Sequence, residues 1–260
     1  TFGALGQLVS GGDDFAVRLW GEEARTLGQH QGKVTTLAVS PDGETVVSGS
    51  WDGSIRLWPL SGGEGRTLPA PGAGVNAVVF GPNETLYAAT MNGALLRYDL
   101  AGGAPVPLVQ HGFGINRLAL GDGWIAYGAV DGGTRIIAPG NGAQIADFTL
   151  ERRPILSMSY NHASNALAVG DGQGFIMVIN TTAMRITHDF KASRNGPIWA
   201  LAFSHNGLNL HAGGIEDIVY SWPLATMSEH DPMAGTTRSF LEKPQSRHRL
   251  LHCHSILDQL

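Results

Sequence analysis

A repeat of about 40 residues is the feature of this sequence that most limits its fold. Five short apolar stretches begin in phase along the chain, at Val34, Val75, Ile115, Ile155 and Ile198. Successive starts are 41, 40, 40 and 43 residues apart. Each stretch is followed by two more apolar runs around a short polar or glycine-containing turn, as in VVSGSWDGSIRLW (residues 46–58). Alternating runs joined by tight turns are typical of β-hairpins, so the repeat predicts several copies of one antiparallel β unit.

Composition agrees with many short strands, since 43% of the 260 residues are hydrophobic and 36 are glycine. A four-stranded sheet with two apolar faces buries both only when other sheets stack against it, and a propeller provides that arrangement. We expect a propeller over residues 1–226, with a first unit that lacks its opening strand. The predicted blade units are 1–28, 29–69, 70–109, 110–149, 150–192 and 193–226.

The segment LGQHQGKVTTLAVSPDGETVVSGSWDGSIRLW (residues 27–58) resembles nearly a full unit of the WD-repeat β-propeller family. The resemblance covers roughly residues 1–226 and implies an all-β fold of four-stranded antiparallel blades. Propellers of this family most often have seven blades, and six are visible here. The resemblance therefore implies an incomplete ring whose exposed blade edges favour self-association.

The resemblance also implies a structural hydrogen-bonded set made of His30, Ser50, Asp52 and Trp58. Ser50 and Asp52 are two residues apart on an extended chain, which places their side chains on one face. A Ser-His-Asp catalytic triad is the alternative interpretation of the same residues. The sequence has no G-x-S-x-G nucleophile elbow and no paired catalytic carboxylates, so we expect a protein that is not an enzyme.

In a propeller, the turns between the second and third strands share one rim with the loops that precede the first strands. The residue before each turn acid is predicted to point outward there, and the preceding loops add an aromatic residue and arginines. These candidate contact residues are Trp51, Met91, Phe113, Val130, Arg152, Arg153, Arg194 and Ile215. Exposed apolar and arginine side chains favour a protein or peptide partner, including one with an acidic segment. In the alternative interpretation, Trp51 folds over its own blade and the arginines are only solvated.

The composition changes after residue 226, and residues 227–260 are interpreted as a linker or tail with a short helix at 247–257. A weak metal-binding interpretation rests on His248, His252, Cys253 and His254. The tail also resembles the linker of bacterial propellers fused to a c-type cytochrome, which suggests the docking or sensor domain of a larger periplasmic redox protein. Leu250 stands where the first haem-attaching cysteine is required, so no haem and no other cofactor is predicted.

Charge and hydropathy exclude further classes of function. The chain has 17 basic and 22 acidic residues, a net charge of −5, which argues against nucleic-acid binding. No apolar run reaches 18 residues, so no membrane span is expected. The first residues lack the pattern of a signal peptide and begin within a repeat, which suggests a truncated N-terminus. The location is left open between cytoplasm and periplasm.

Overall fold

The computed structural model describes residues 1, 7–21, 24–149, 153–216, 218–224 and 237–240. Each secondary-structure element assigned in these ranges is a β-strand, and there are 23 of them. They form one three-stranded sheet followed by five four-stranded sheets, each with its strands in chain order. The predicted all-β fold of repeated antiparallel sheets is therefore confirmed, and the first sheet is the one with three strands.

Two units make up the chain, one of residues 1–120 with 138–143 and the other of residues 121–137 with 144–260. Unit 1 contains sheets 1 to 3. The strands of sheet 1 are β1 (Leu8–Gly11), β2 (Ala16–Trp20) and β3 (Arg25–Gln29). Those of sheet 2 are β4 (Val34–Val39), β5 (Thr45–Ser50), β6 (Ile55–Pro59) and β7 (Arg66–Thr67). Those of sheet 3 are β8 (Val75–Phe80), β9 (Thr85–Thr90), β10 (Ala94–Asp99) and β11 (Val106–Gln110).

Sheet 4 comprises β12 (Ile115–Gly121), β13 (Trp124–Ala129), β14 (Thr134–Ile137) and β15 (Gln144–Asp147). Sheets 5 and 6 belong to unit 2. The strands of sheet 5 are β16 (Ile155–Asn161), β17 (Ala166–Asp171), β18 (Phe175–Asn180) and β19 (Arg185–Lys191). Those of sheet 6 are β20 (Ile198–Phe203), β21 (Asn209–Gly214), β22 (Ile218–Pro223) and β23 (Thr237–Phe240).

Burial follows the position of a strand within its sheet. The second strands β5, β9 and β13 are buried along almost their whole length, because both of their faces are covered. In unit 1, one apolar cluster joins sheets 1 and 2 around Trp58, and a second joins sheets 2 and 3 around Val75 and Leu86. The outer strands β3 and β11 are largely exposed. The core therefore lies between sheets, as stacked blades require.

A bulge recurs near the start of the first strand in four sheets. The register of pairing to the second strand shifts by one residue there, so that Thr35, Asn76, Leu156 and Trp199 are extra. In unit 1, Thr35 donates through Oγ1 to the carbonyl oxygen of Val75 at 2.5 Å, and Asn76 donates through Nδ2 to that of Ile115 at 3.1 Å. The bulge residues of unit 1 thus link the first strands of consecutive sheets.

The end of the last sheet differs from the boundary that the sequence suggested. Residues 237–240 form β23, which pairs with β22 from Ile218 to Ser221. This corrects the division at residue 226, because part of the predicted tail is the outer strand of sheet 6. Outer strands carry a weak sequence pattern, since one edge and much of their surface face solvent; β7 has only two residues. The predicted helix at 247–257 lies outside the described residues.

Candidate functional site

A buried polar network lies on sheet 2, within the segment that the sequence singled out. The His30 ring is fully buried, and its Nδ1 and Nε2 atoms lie 2.7 Å from the hydroxyl oxygens of Ser54 and Ser48. The indole Nε1 of Trp58 donates to the Ser48 hydroxyl at 2.7 Å. The Ser54 hydroxyl donates to Oδ1 of Asp52 at 2.6 Å. These contacts form one continuous chain from Trp58 to Asp52.

The donor inventory fixes the direction of this chain. The carboxylate of Asp52 only accepts, so Ser54 donates to it and accepts from Nδ1 of His30. Ser48 accepts the indole N–H of Trp58 and donates to Nε2 of the neutral His30 ring. His30 is then the neutral tautomer with a proton on Nδ1, which donates to Ser54. Burial lowers the His30 pKa and outweighs the charge of Asp52, which raises it. A neutral imidazole is therefore consistent with both the geometry and the electrostatics.

Asp52 holds the turn that closes this network. Its carboxylate accepts from the backbone N–H groups of Gln31 at 2.6 Å and Ser54 at 2.8 Å, in addition to the Ser54 hydroxyl. Burial raises the Asp52 pKa, but the hydrogen bonds from Ser54 and Gln31 outweigh it and lower the pKa to about 2. The carboxylate therefore joins the loop before β4 to the turn between β5 and β6.

The assignment of Ser50 to the network was wrong in one respect, because Ser48 is the residue that bridges His30 and Trp58. Ser50 instead accepts the backbone N–H of Asp52 at 3.1 Å. Both serines lie on the same face of β5, since side chains alternate along a strand, and this periodicity does not choose between them. The register of strand pairing decides which serine lies beside the indole. Trp58 pairs with Val46, and Ser48 is the next residue on that face of β5. Ser54 was not predicted as a member of the network, because no sequence pattern marks the residue that follows the turn.

Catalysis by these groups is not supported by their surroundings. Ser48 is fully buried, and its hydroxyl is already engaged by Trp58 and His30. A nucleophile needs access to substrate and a proton acceptor that is free to change its state. The network therefore stabilises the turn and the sheet.

The turn residues of unit 1 form an exposed apolar surface. Trp51 is 48% exposed, Met91 51% and Phe113 53%. The backbone N–H groups of Trp51 and Met91 donate to the carbonyls of Lys33 and Gly74 at 3.0 and 2.8 Å, which fixes the turns while their side chains point outward. We name Trp51, Met91 and Phe113 the turn rim.

Glycines allow the backbone segments that carry the turn rim to approach one another closely. A Cβ atom at Gly74 would lie 2.7 Å from the Met91 sulfur and 3.2 Å from the Trp51 carbonyl oxygen. A Cβ at Gly114, next to Phe113, would lie 2.7 Å from the Met91 carbonyl oxygen. Only glycine allows the turns to approach this closely.

Polar contacts hold Trp51 in position on the turn rim. Its Nε1 donates to Oδ1 of Asn76 at 3.2 Å, and Nζ of Lys33 lies 5.4 Å from the ring centroid. Nζ of Lys33 also lies 3.0 Å from the Asp13 carboxylate. The sequence did not identify Lys33, although its place directly before β4 on a turn-facing loop was available as a signal.

Unit 2 places the remaining candidates in two different environments. Val130, Ile215 and Arg194 are exposed, as expected for contact residues. The assignment of Arg153 to an exposed rim was wrong: it is only 7% exposed, Nε lies 3.1 Å from Oδ2 of Asp171, and the guanidinium carbon lies 4.0 Å from the Phe175 ring centroid. Exposed Trp199, the extra residue of the bulge in β20, was missed.

Several candidates lie outside the part of the chain that the structure describes. They are Arg152, His248, His252, Cys253 and His254. Within the described ranges, no group of three or more histidine, cysteine, aspartate or glutamate side chains is arranged to hold a metal ion. In the same ranges, no helix has the length and apolar character needed to cross a membrane.

Comparison with known families identifies the repeat that carries the network. Residues 21–59 match the family model described as WD domain, G-beta repeat. Residues 21–59 are therefore similar to one WD repeat. The matched residues include the whole of the network from His30 to Trp58, so the WD repeat of sheet 2 is the one that follows the family pattern most fully.

Curated relatives match over short segments. The small ribosomal subunit protein RACK1 of Medicago sativa is 48% identical over 60 residues, 22% of this chain and 18% of the relative. The cross-pathway control WD-repeat protein 2 of Flammulina velutipes is 42% identical over 82 residues, 29% of this chain and 25% of the relative. The guanine nucleotide-binding protein subunit beta-5b of Danio rerio is 38% identical over 55 residues, 20% of this chain and 14% of the relative.

This chain therefore spans a quarter or less of the length of these WD-repeat relatives. All three come from eukaryotes, so they give no support to the bacterial character suggested by the tail.

The other sheets keep parts of the network. In sheet 1, Nε1 of Trp20 donates to the Ser10 hydroxyl at 2.8 Å, and the register places Ser10 as it places Ser48. The two serines share a spacing of ten residues to their tryptophans, which is the sequence signal that identifies the bridging residue.

Sheets 3, 4 and 6 depart further from the pattern. In sheet 3, the Tyr98 hydroxyl donates to the Pro69 carbonyl at 3.1 Å. In sheet 4, Arg135 lies 2.8 Å from Asp131 and 3.0 Å from Asp147, so an ion-paired cluster replaces the histidine network. In sheet 6, Trp222 is fully buried and its Nε1 finds no acceptor among the described residues.

Proposed function

We propose that this protein is a non-enzymatic interaction scaffold, and that a protein or peptide partner binds the turn rim. The observation that carries the proposal is the exposure of Trp51 and Met91 on the turns of sheets 2 and 3 and of Phe113 on the loop before β12. Tryptophan and methionine are enriched at the centres of protein interfaces, whereas soluble surfaces rarely expose a contiguous apolar patch without a role. Val130, Arg194 and Ile215 extend the proposal to the corresponding loops of unit 2.

The contacts of the rim indicate the chemistry of the partner. Trp51 is held by Asn76 and Lys33, so its ring presents a pre-ordered apolar surface and loses little conformational freedom on binding. Arg153 is paired with Asp171 and is not available to a partner. The proposal therefore gives the main role to apolar and aromatic side chains of the partner and a smaller one to acidic groups near Lys33.

Two relatives are, by name, parts of larger assemblies: a small ribosomal subunit protein and a subunit of a guanine nucleotide-binding protein. Membership of an assembly requires surfaces that bind other proteins, which agrees with a scaffold role here.

Affinity capture with a matched surface control tests the proposal. Trp51→Ala and Met91→Ala each remove a rim side chain, and Val106→Ala removes an exposed apolar side chain from the outer strand β11. We expect Trp51→Ala to weaken capture of the wild-type partners about tenfold or more, and Val106→Ala to leave it unchanged. The proposal is wrong if the rim variants, with unchanged thermal stability, capture the same proteins as the wild type.

A further inference from the structure

An open groove lies at the end of sheets 2 and 3 that is opposite to the turn rim. In an antiparallel sheet, the loops after the first and third strands share one end, and the turn after the second strand lies at the other. The groove has a volume of about 710 Å³ and is formed by the loops that follow β4, β6, β8 and β10. This volume falls in the range of sites that enclose small molecules or short peptide segments.

Apolar side chains form the inner part of the groove, where Leu57 and Phe80 are buried and Leu100 and Pro59 are partly exposed. Leu57 and Phe80 belong to the core cluster between the two sheets, and Leu100 packs against that cluster. The floor is therefore anchored in the rigid part of unit 1. A large apolar side chain that enters the groove would be desolvated on contact with it.

Carboxylates surround this apolar floor. Asp42, Glu64 and Glu84 line the groove, are exposed, and have no ion-pair partner among the described residues. The basic group that lines the groove, Arg66, donates through Nη2 to the Leu100 carbonyl at 2.5 Å. Three carboxylates face one guanidinium, so the potential in the groove favours a cation.

Two of the carboxylates are placed by their turns. Oδ1 of Asp42 accepts from the backbone N–H of Glu44 at 2.9 Å and from the Ser40 hydroxyl, and these bonds lower the Asp42 pKa. Asn83 and Glu84 both have a φ of 54°, which the turn from Pro82 to Thr85 requires. Glycine is the favoured residue at the second of these positions, and Glu84 occupies it at a cost in backbone strain.

We propose that this groove binds a short cationic segment of a partner protein, with one large apolar side chain in the floor and arginine or lysine residues on either side. The proposal goes beyond binding at the turn rim, because it concerns the opposite end of unit 1. Apolar contact supplies affinity, and the carboxylates select the sign of the charge.

Fluorescence anisotropy with a labelled synthetic peptide tests the proposal. The probe contains one leucine with two arginines on each side, and two control peptides replace either the arginines by glutamate or the leucine by glycine. We expect the probe to bind at least tenfold more tightly than either control peptide, and its affinity to fall as salt is added. Equal binding of the glutamate peptide overturns the proposal.

Charge-neutralising variants locate the site. Glu64→Gln combined with Glu84→Gln is expected to weaken binding of the probe about threefold to tenfold. The control combines Asp13→Asn with Asp122→Asn, which removes the same charge from residues that do not line the groove, and is expected to leave binding unchanged. Glu84→Gly relieves the turn, so we expect it to weaken binding without lowering the thermal midpoint.

Three results would overturn the proposal. Loss of probe binding in Trp51→Ala, with normal binding in the glutamate variants, would place the peptide on the turn rim. Dimers seen in sedimentation and dissociated by the glutamate variants would make a second copy of the chain the occupant. Displacement of the probe by a peptide of residues 241–256, together with tighter probe binding after removal of those residues, would make the tail the occupant.

Discussion

The hydroxyl of Ser48 joins two buried rings that are distant in sequence. It accepts from Trp58 and donates to His30, so that one small side chain satisfies a group on β6 and a group on the loop before β4. Buried donors and acceptors cost free energy when they lose their partners. Ser50, two residues later and also buried, has a more limited role, because it accepts one backbone N–H within its own turn.

Replacement of the two serines separates these roles. We expect Ser48→Ala to lower the free energy of unfolding by about 2–4 kcal/mol, since it leaves both the His30 ring nitrogen and the Trp58 indole without a partner. Ser50→Ala is expected to cost about 1 kcal/mol or less. Urea unfolding of both variants measures the difference. An equal or larger cost for Ser50→Ala would contradict the assignment of Ser48 as the bridge.

Within a sheet, the same register places different residues at the position of Ser48. Ala212 occupies it in sheet 6, two residues after Leu210, which pairs with Trp222. Ala88 occupies it in sheet 3, two residues after Leu86, which pairs with Tyr98. Trp222 has no acceptor among the described residues, whereas the Tyr98 hydroxyl already donates to Pro69. The two sheets therefore offer a matched pair of sites.

Serine at these two sites is expected to change the free energy of unfolding in opposite directions. Ala212→Ser supplies an acceptor for Trp222 and should raise the free energy of unfolding by up to about 1 kcal/mol. Ala88→Ser buries a hydroxyl beside a tyrosine that needs no acceptor, and should lower it by about 1–3 kcal/mol. Thermal and urea unfolding of both variants give the sign, and destabilisation by both would show that Trp222 does not use the new hydroxyl.

The sequence predicted the elements better than their contacts. The five strand starts that the repeat predicts, from Val34 to Ile198, are the first residues of strands in the structure. Alternation of apolar and polar residues marks a strand whose inner face is buried. The bulges and β23 were not predicted, since they depend on pairing between strands. The exposure of Trp51 followed from its place before a turn, but the burial of Arg153 depends on Asp171 and Phe175, which are distant in sequence.

At the scale of the whole molecule, falling pH lowers the free energy of unfolding first through buried histidines and then, at lower pH, through carboxylates. Burial lowers the pKa of both His30 and His211 below the ordinary value of 6.5. The Asp52 pKa is lowered from 3.8 to about 2 by hydrogen bonds that outweigh its burial. In each case the unfolded chain takes up a proton at a higher pH than the folded protein does, so acid favours unfolding.

The free energy of unfolding should therefore fall in two steps. The first begins as the pH drops through 6.5, where the unfolded histidines become protonated and the folded ones do not. The second lies between about pH 4 and 2, where Asp52 is protonated only in the unfolded chain. Urea midpoints from pH 8 to 2.5 measure both steps. His30→Gln should reduce the first step; an equal first step in this variant and in the wild type would contradict this account.

The fit between Trp58 and the neighbouring sheet limits how the repeats can be rearranged. A Cβ atom at Gly28 on β3 would lie 2.3 Å from the Trp58 ring, so this tryptophan needs glycine on the sheet before it. In sheet 2 the equivalent place belongs to Pro69, since Thr26 and Thr67 pair with the equivalent residues Arg18 and Arg56, and Gly28 and Pro69 each lie two residues further on. A tandem duplication of sheet 2 would bring a second copy of Trp58 against Pro69. The repeats are therefore not interchangeable modules, and a gene that gains or shuffles a copy needs a compensating substitution on the adjoining outer strand.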